Sequence, residues 1–583
     1  MTPNRPRTSL PLGRFVSAIE ERIATMPAEE LRQVVLAFAA SVEPLDRPSF
    51  LERFGATPAP ASKGIDRLLA DVELLEEEAA STGEPAWDES DEWSDRYGWS
   101  SDDELREPDW APSLVELLRR CGEVFIGGDP SGSAGCYERI FKVAATAMEN
   151  GWSVASEPAE SEVTNEAAAR YLRAVGETGD RDDRPTRLRQ AVELLGSVVM
   201  AQDLSLAAVE STRVERPDDR ELLLDDWVTA LAPLAEDAGL IGDWAHRLLV
   251  EVVDALDSLP GLARLARAGG RHAGKTFLAW FDASRRDGDA PMTAAAGTEG
   301  LHHLSRGRDR AALAERIAEQ ADRESEVERA VTARLQAWDS QPSLDRFLIV
   351  IETARRAGTE AATVASLGRS RTRPDVPVAL RVVLLVAGGR LDAATTEVRA
   401  ALAKPERPGL RSEGSPAAGV LIPVLLTAGV EASRNDQFSR SVLAALLDGA
   451  DHQIDPGRLW SSRLLDEDHD QSTHELALGD LLVETLERLT ISSPKRASHL
   501  DAGSAMAANA VAGIVEAKER RRYAQAASLA IAHAEAVAIV GGRAAGDAAA
   551  DQAQARYPRH VAYRSELNAA RDRSPFLTSI RRH

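Results

Sequence analysis

Most of the residues that announce a chemistry are scarce in this chain. Its 583 residues include two cysteines, Cys121 and Cys136, fifteen positions apart with no histidine near them. A disulfide framework is therefore excluded, and a reducing cytoplasm is the expected home. Both are expected to be structural, because they flank a hairpin turn where a small residue suits packing. Aromatic residues make up only 5% of the chain, which disfavours strands. Six of the 69 basic residues are lysine, an Arg bias that carries no mechanism by itself. The longest apolar run, "AAGVLIPVLLTAGV" at 417–430, contains Pro423 and falls short of the roughly 20 residues of a bilayer span. The first thirty residues are broken by Arg, Pro and Glu, unlike a signal peptide. A soluble protein without a membrane partner is expected. A formal net charge of −24 argues against a general nucleic-acid coat, which needs a positive field.

What the chain does contain is Ala, Leu, Arg and Glu in long stretches, and these favour helix. Its length predicts two to four units. Residues 1–55 read as an N-terminal helical cap in which Phe15, Ile19 and Ile23, then Leu31, Val34, Val35 and Phe38, mark one face each. Residues 56–110 read as an acidic linker. From Asp71 to Trp110 there are sixteen acids, two arginines and four tryptophans, Trp87, Trp93, Trp99 and Trp110. Pure disorder holds few aromatics, so these tryptophans are expected to dock on a helical body. Residues 111–375 read as a helical-hairpin region and 376–583 as a second helical region with a basic end. Short Gly-containing turns between helices force antiparallel neighbours.

One octet stands out. Gly269 to Thr276, "GGRHAGKT", fits the phosphate-loop pattern G-x-x-x-x-G-K-T, with Gly269, Gly274, Lys275 and Thr276 as its nucleotide-binding positions. That loop needs a buried strand before it and a helix N-terminus behind it, so that backbone N–H groups and the lysine converge on phosphates. The preceding "LPGLARLARA" consists of helix formers, and Arg264 and Arg267 do not suit a strand buried on both faces. The same turn recurs without lysine in "VAGGRLDAA" (386–394) and "AIVGGRAAGDA" (538–548). Behind Thr276, the residues Phe277, Trp280, Phe281 and Ser284 share a helical face. A helix turn is the expected structure, and a P-loop NTPase is the lesser alternative.

The segments "LRQVVLAFAASVEPLDRPSFLERF", "FIGGDPSGSAGCYERIF", "FLAWFDASRRDGD", "AWDSQPSLDRFL" and "ARYPRHVAYRSEL" together resemble an uncharacterised family of bacterial tetratricopeptide-like helical-repeat proteins. The last of them, with "KERRRYAQAASLAIAHAEA", is also similar to the C-terminal helical region of bacterial SWIM zinc-finger proteins, although the C-x-C pair that the finger needs is absent. The resemblance implies an all-α fold of degenerate antiparallel hairpins stacked as a solenoid. It implies no activity and no cofactor.

Two further stretches are candidate sites. "DEDHDQSTHE" (466–475) places His469, Asp470 and His474 among carboxylates, as a metal centre or the HD pair of a phosphohydrolase would. A solvated charged loop explains it more simply. From Val515 to His583 twelve Arg or Lys stand against seven acids. Lys518, Arg520, Arg521, Arg522, Arg559, His560 and Arg564 are interleaved there with Tyr523, Tyr557 and Tyr563. Basic and aromatic residues in this pattern bind nucleic acid, or meet an acidic protein surface, or simply pack. The expected function is a non-catalytic intracellular scaffold or adaptor for a protein partner. Its polar contact surfaces are expected to be the basic C-terminal residues and Trp87, Trp93 and Trp99. A nucleic-acid-associated protein is the alternative.

Overall fold

The structure, a computed structural model, describes residues 62–82, 107–152, 154, 158–198, 204–213, 219–370, 373–403, 414–430, 436–454 and 476–579, with Arg22 and Met26 besides. Every extended element among them is a helix, and no strand occurs among the described residues. The chain is all-α. It divides into two compact units, 1–296 and 297–583. The boundary that composition placed at 375 falls inside the second unit, because Phe347, Leu348 and Ile351 share one apolar core with Val378 to Val386. The expected N-terminal cap lies outside the described residues, apart from Arg22 and Met26.

Unit 1 begins with α1 (Ser62–Ser81), α2 (Ala111–Ile126) and α3 (Pro130–Glu149). Proline in the first turn starts both α2 and α3, where its missing N–H costs nothing. Asp129 caps α3 by accepting from the Gly132 N–H at 2.8 Å. Helix α1 buries Leu68, Val72 and Leu75 and is clasped by Arg139, whose Nε donates to Glu76 at 2.8 Å. Trp110 at the head of α2 is buried, and its indole N–H donates to Thr82 Oγ1 at 3.1 Å. It is the one tryptophan of the acidic stretch among the described residues, and it docks as expected; Trp87, Trp93 and Trp99 lie outside them. The unit continues through α4 (Pro158–Glu177), α5 (Arg184–Gly196), α6 (Leu206–Glu210), α7 (Arg220–Leu234), α8 (Leu240–Ala268), α9 (Ala273–Arg286) and into α10 (Ala290–His303). Helix α8 is broken at Ser258, which takes φ 48° two residues before Pro260. A proline disfavours helical geometry just before it and removes one N–H from the ladder.

Unit 2 contains α11 (Arg308–Arg323), α12 (Val327–Ser340), α13 (Leu344–Arg356), α14 (Glu360–Ser370), α15 (Val378–Ala387) and α16 (Leu391–Leu402). It continues with α17 (Gly414–Val430), α18 (Val442–Asp448), α19 (Ala450–Ile454), α20 (Leu478–Arg488) and α21 (Ser493–Glu516). Helices α22 (Tyr523–Gly541), α23 (Arg543–Arg556) and α24 (Val561–Arg573) complete it. From α11 to α16 each helix packs on the next, while α17 is enclosed by α15, α16 and α18 through α22. Its residues Val420, Leu421, Ile422, Val424, Leu425 and Leu426 are fully buried, which at about 2 kcal/mol per large aliphatic side chain makes α17 the hydrophobic centre of the unit.

Helix α22 is the companion of α17 and carries one acid on a buried face. Glu535 is fully buried, and its two carboxylate oxygens accept the N–H groups of Val442 at 3.1 Å and Leu443 at 2.8 Å. Those donors open α18 and have no partner inside that helix. Arg520–Gly541 is long and apolar enough, by length and composition, to cross a membrane, yet 56% of its apolar window is buried inside the protein. It packs against α17, α18, α21, α23 and α24. Apolar run length singles out 417–430 and misses this helix, because its apolar face is built mainly of alanine and is interrupted by Gln525, Ser528, His533 and Glu535.

Candidate functional site

The phosphate-loop spelling folds as a helix-turn-helix. Helix α8 runs into it and ends at Gly269, whose N–H donates to the Ala266 carbonyl at 3.2 Å. Gly269 and Gly270 take φ 80° and 88°, a conformation that only glycine adopts freely. His272 then leads into α9. Lys275 Nζ donates to Asp243 of α8 at 2.8 Å. Thr276 is buried, and its Oγ1 lies 3.2 Å from both His246 Nε2 and the His272 carbonyl oxygen. In a phosphate loop the lysine and the threonine hydroxyl point at the ligand. Here both are spent on protein groups at the junction of α8 and α9, and α8 stands where a strand would be required.

This junction is nonetheless a polar cluster of an uncommon kind. The rings of His246 and His272 stack at 4.5 Å, and His272 Nδ1 lies 3.5 Å from Asp243. Burial, and then the nearby His272 and Lys275, push the His246 pKa down to about 4. Burial and Lys275 also lower His272. The hydrogen bond from Lys275 holds the Asp243 carboxyl below its ordinary range. Two neutral imidazoles thus sit under one exposed ion pair. Phe277, Trp280, Phe281 and Ser284 are all buried along α9, the face that their spacing predicts, with the Arg267 guanidinium 5.1 Å from the Trp280 ring centroid.

The two cysteines come together. Cys121 of α2 and Cys136 of α3 are fully buried, and the neighbouring Cys136 thiol and then burial push the Cys121 thiol up. The same contact with Cys121 lowers the Cys136 thiol, so the two form one coupled pair closed off from solvent. Among the described residues no group of three or more His, Cys, Asp or Glu is arranged to hold a metal. His469, Asp470 and His474 lie outside the described residues.

The basic C-terminal residues lie on two turns that an aromatic contact joins. Ala517 to Arg522 connect α21 to α22, and Tyr557 to His560 connect α23 to α24. Tyr523 joins them: its ring meets His560 at 6.4 Å and Tyr563 at 6.1 Å, and its hydroxyl lies 3.4 Å from His560 Nδ1. Tyr557 meets Tyr563 edge to face at 5.6 Å, a favourable geometry for aromatic pairs. All three tyrosines are buried, so they are no platform for stacking bases. Lys518, Arg520, Arg521 and Arg559, on these two turns, are exposed. Arg522 pairs with Glu519 at 2.7 Å, Arg564 donates to the Pro558 carbonyl at 3.4 Å, and Arg556 lies 5.6 Å from the Tyr557 ring centroid.

Unit 2 also has a concave surface that no motif in the sequence announces. A groove of about 960 Å³ is lined by α14, by α15 with its Gly388–Arg390 turn, and by α20. Its rim holds an ionic ring in which Arg355 meets Glu360 at 3.2 Å and Glu484 at 2.6 Å, while Arg488 meets the same two acids at 3.0 and 3.1 Å. Burial alone would raise the Glu360 pKa, but the hydrogen bonds from Arg488 and Arg355 outweigh it and hold it low. The one local signal is the exposed arginine of the repeated Gly-Gly-Arg turn. No protein family matches the chain, and no curated protein matches it in sequence.

Proposed function

We propose that this protein is a non-catalytic intracellular scaffold of tetratricopeptide-like hairpins that docks an acidic surface of a protein partner on its basic C-terminal turns. Helices α1 to α5 pack on their immediate and next neighbours and α11 to α16 on their immediate neighbours, which supports the repeat reading, since each hairpin of a solenoid buries its face on the next. The non-catalytic reading is supported by the internal use of Lys275 and Thr276.

The observation that carries the proposal is that Tyr523 and His560 meet, tying together the two turns that bear the exposed Lys518, Arg520, Arg521 and Arg559. Cations over a rigid base offer charge complementarity to a protein. Binding of single-stranded nucleic acid draws on exposed aromatic faces, which this surface withholds, and a chain of net charge −24 repels a polyanion at long range. The test is affinity capture from the native cell with the unaltered chain and with the charge-reversed variant Arg520→Glu, Arg521→Glu, Arg559→Glu. A protein enriched by the first and lost from the second is expected. Retention of DNA or RNA that falls steeply with salt, with no protein lost on charge reversal, overturns it.

A further inference from the structure

The groove in unit 2 has a shape and charge that specify an occupant. One wall is a single face of α14, where Glu360, Ala361, Val364, Ala365, Gly368 and Arg369 succeed each other at helical spacing. From Glu360 to Arg369 this face runs about 13 Å, some two and a half turns. The opposite face of α14 buries Thr363 and Leu367, whereas Ala361 and Ala365 stay exposed. Leu384, Leu385, Leu481 and Leu489 supply the apolar floor.

Small side chains on one wall and leucines below leave room for a helix with apolar residues on one side. The lining contains four arginines, Arg355, Arg369, Arg390 and Arg488, against one acid, Glu360. Glu360 and its neighbour Glu484 are consumed by Arg355 and Arg488. Arg369 and Arg390 are exposed and pair with no carboxylate among the described residues.

We propose that this groove binds a short amphipathic helical segment of a partner protein, with two or three apolar side chains over Ala361, Ala365 and Leu489 and carboxylates beside them on Arg369 and Arg390. The inference rests on the reading of the chain as a protein-binding scaffold. It uses no residue of the basic C-terminal turns, so each can fail while the other stands.

The probes are three fluorescein-labelled synthetic peptides, read by anisotropy against the full chain. The first has leucines along one helical face and glutamates on its flanks, the second has lysines for the glutamates, and the third has serines for the leucines. The first is expected to bind saturably and the other two at least about tenfold more weakly. Arg369→Glu with Arg390→Glu reverses the charge preference toward the lysine peptide. Ala365→Trp, at an exposed position, fills the groove and removes binding; circular dichroism confirms that both variants fold. Absence of saturable binding overturns the proposal, as does equal affinity for the three peptides. Loss of binding with the charge-reversed C-terminal variant but not with the groove variants transfers the site to the basic turns and overturns it too. Equal binding of the serine and glutamate peptides with competition by citrate marks a small-anion site instead, which also overturns it.

Discussion

At Gly269 and again at Gly388 the chain writes Gly-Gly-Arg between two helices, and the two junctions differ in what they do with the space beyond. In unit 1 the turn folds polar side chains back on α8, so that His246, His272 and Thr276 are buried beneath the Lys275–Asp243 pair. In unit 2 the Gly389 Cα is covered by Leu489, while Arg390 stays exposed beside a groove. The letters fix only a left-handed glycine and a change of direction. The residues just after the turn decide the rest: "HAGKT" supplies hydrogen-bonding groups, and "LDAAT" supplies an ordinary amphipathic helix. A motif match is a statement about the turn until its neighbours are placed.

The largest effect concerns how each unit stabilises its buried polar groups. Glu535→Ala in unit 2 strands the Val442 and Leu443 N–H groups and empties a packed position, at a cost of about 3 kcal/mol. Urea denaturation measures the loss, and hydrogen exchange of those two amides should turn fast. Exchange that stays slow would mean that α18 opens without needing the carboxylate.

The counterpart in unit 1 is a pH effect. Because His246 has its pKa lowered from 6.5 to about 4, the unfolded chain binds this proton at higher pH than the folded one. Its contribution is complete above about pH 6.5 and is lost as pH falls toward 4, roughly 2 kcal/mol by pH 5. His246→Gln should remove that share of the slope in urea midpoints taken between these limits. An unchanged slope would place the titration elsewhere.

The smallest effect separates the two glycines of the second junction. Gly389 takes φ 69° and a Cβ there would meet Leu489 at 2.8 Å, whereas Gly388 lies at φ −84°. Gly389→Ala should cost about 1–2 kcal/mol, and Gly388→Ala should leave the urea midpoint nearly unchanged. Equal costs would show that the turn is not held by the left-handed residue.

Helices are legible in the sequence where one face repeats. The spacing of Phe277, Trp280, Phe281 and Ser284 places them on the face that α9 buries, and Leu344–Arg356 is a helix opened by Ser343, whose Oγ accepts from the Arg346 N–H at 3.3 Å. Periodicity is local, which is why it suffices there. The left-handed break at Ser258 has only Pro260 to signal it, and a proline in a helical pattern does not say where the backbone will yield. The groove is out of reach for a different reason: its lining comes from three stretches, 355–369, 384–390 and 481–489, that tertiary packing alone brings together. The joining of the two basic turns is hidden in the same way, and the tyrosines between them read as a binding signal until their burial is known.

The clasps between helices are built almost entirely from guanidinium groups: Arg139 holding α1, the pair at the groove rim, and Arg571, which bridges Asp547 at 2.9 Å and Asp551 at 2.6 Å. Arginine keeps its proton far beyond the range where lysine gives it up. Alkali therefore finds nothing in these clasps to discharge. Acid does, because the carboxylates of Glu76, Glu360 and Asp547 are held low and surrender their contribution as they protonate. These clasps, in a chain with six lysines among 69 basic residues, yield on the acid side.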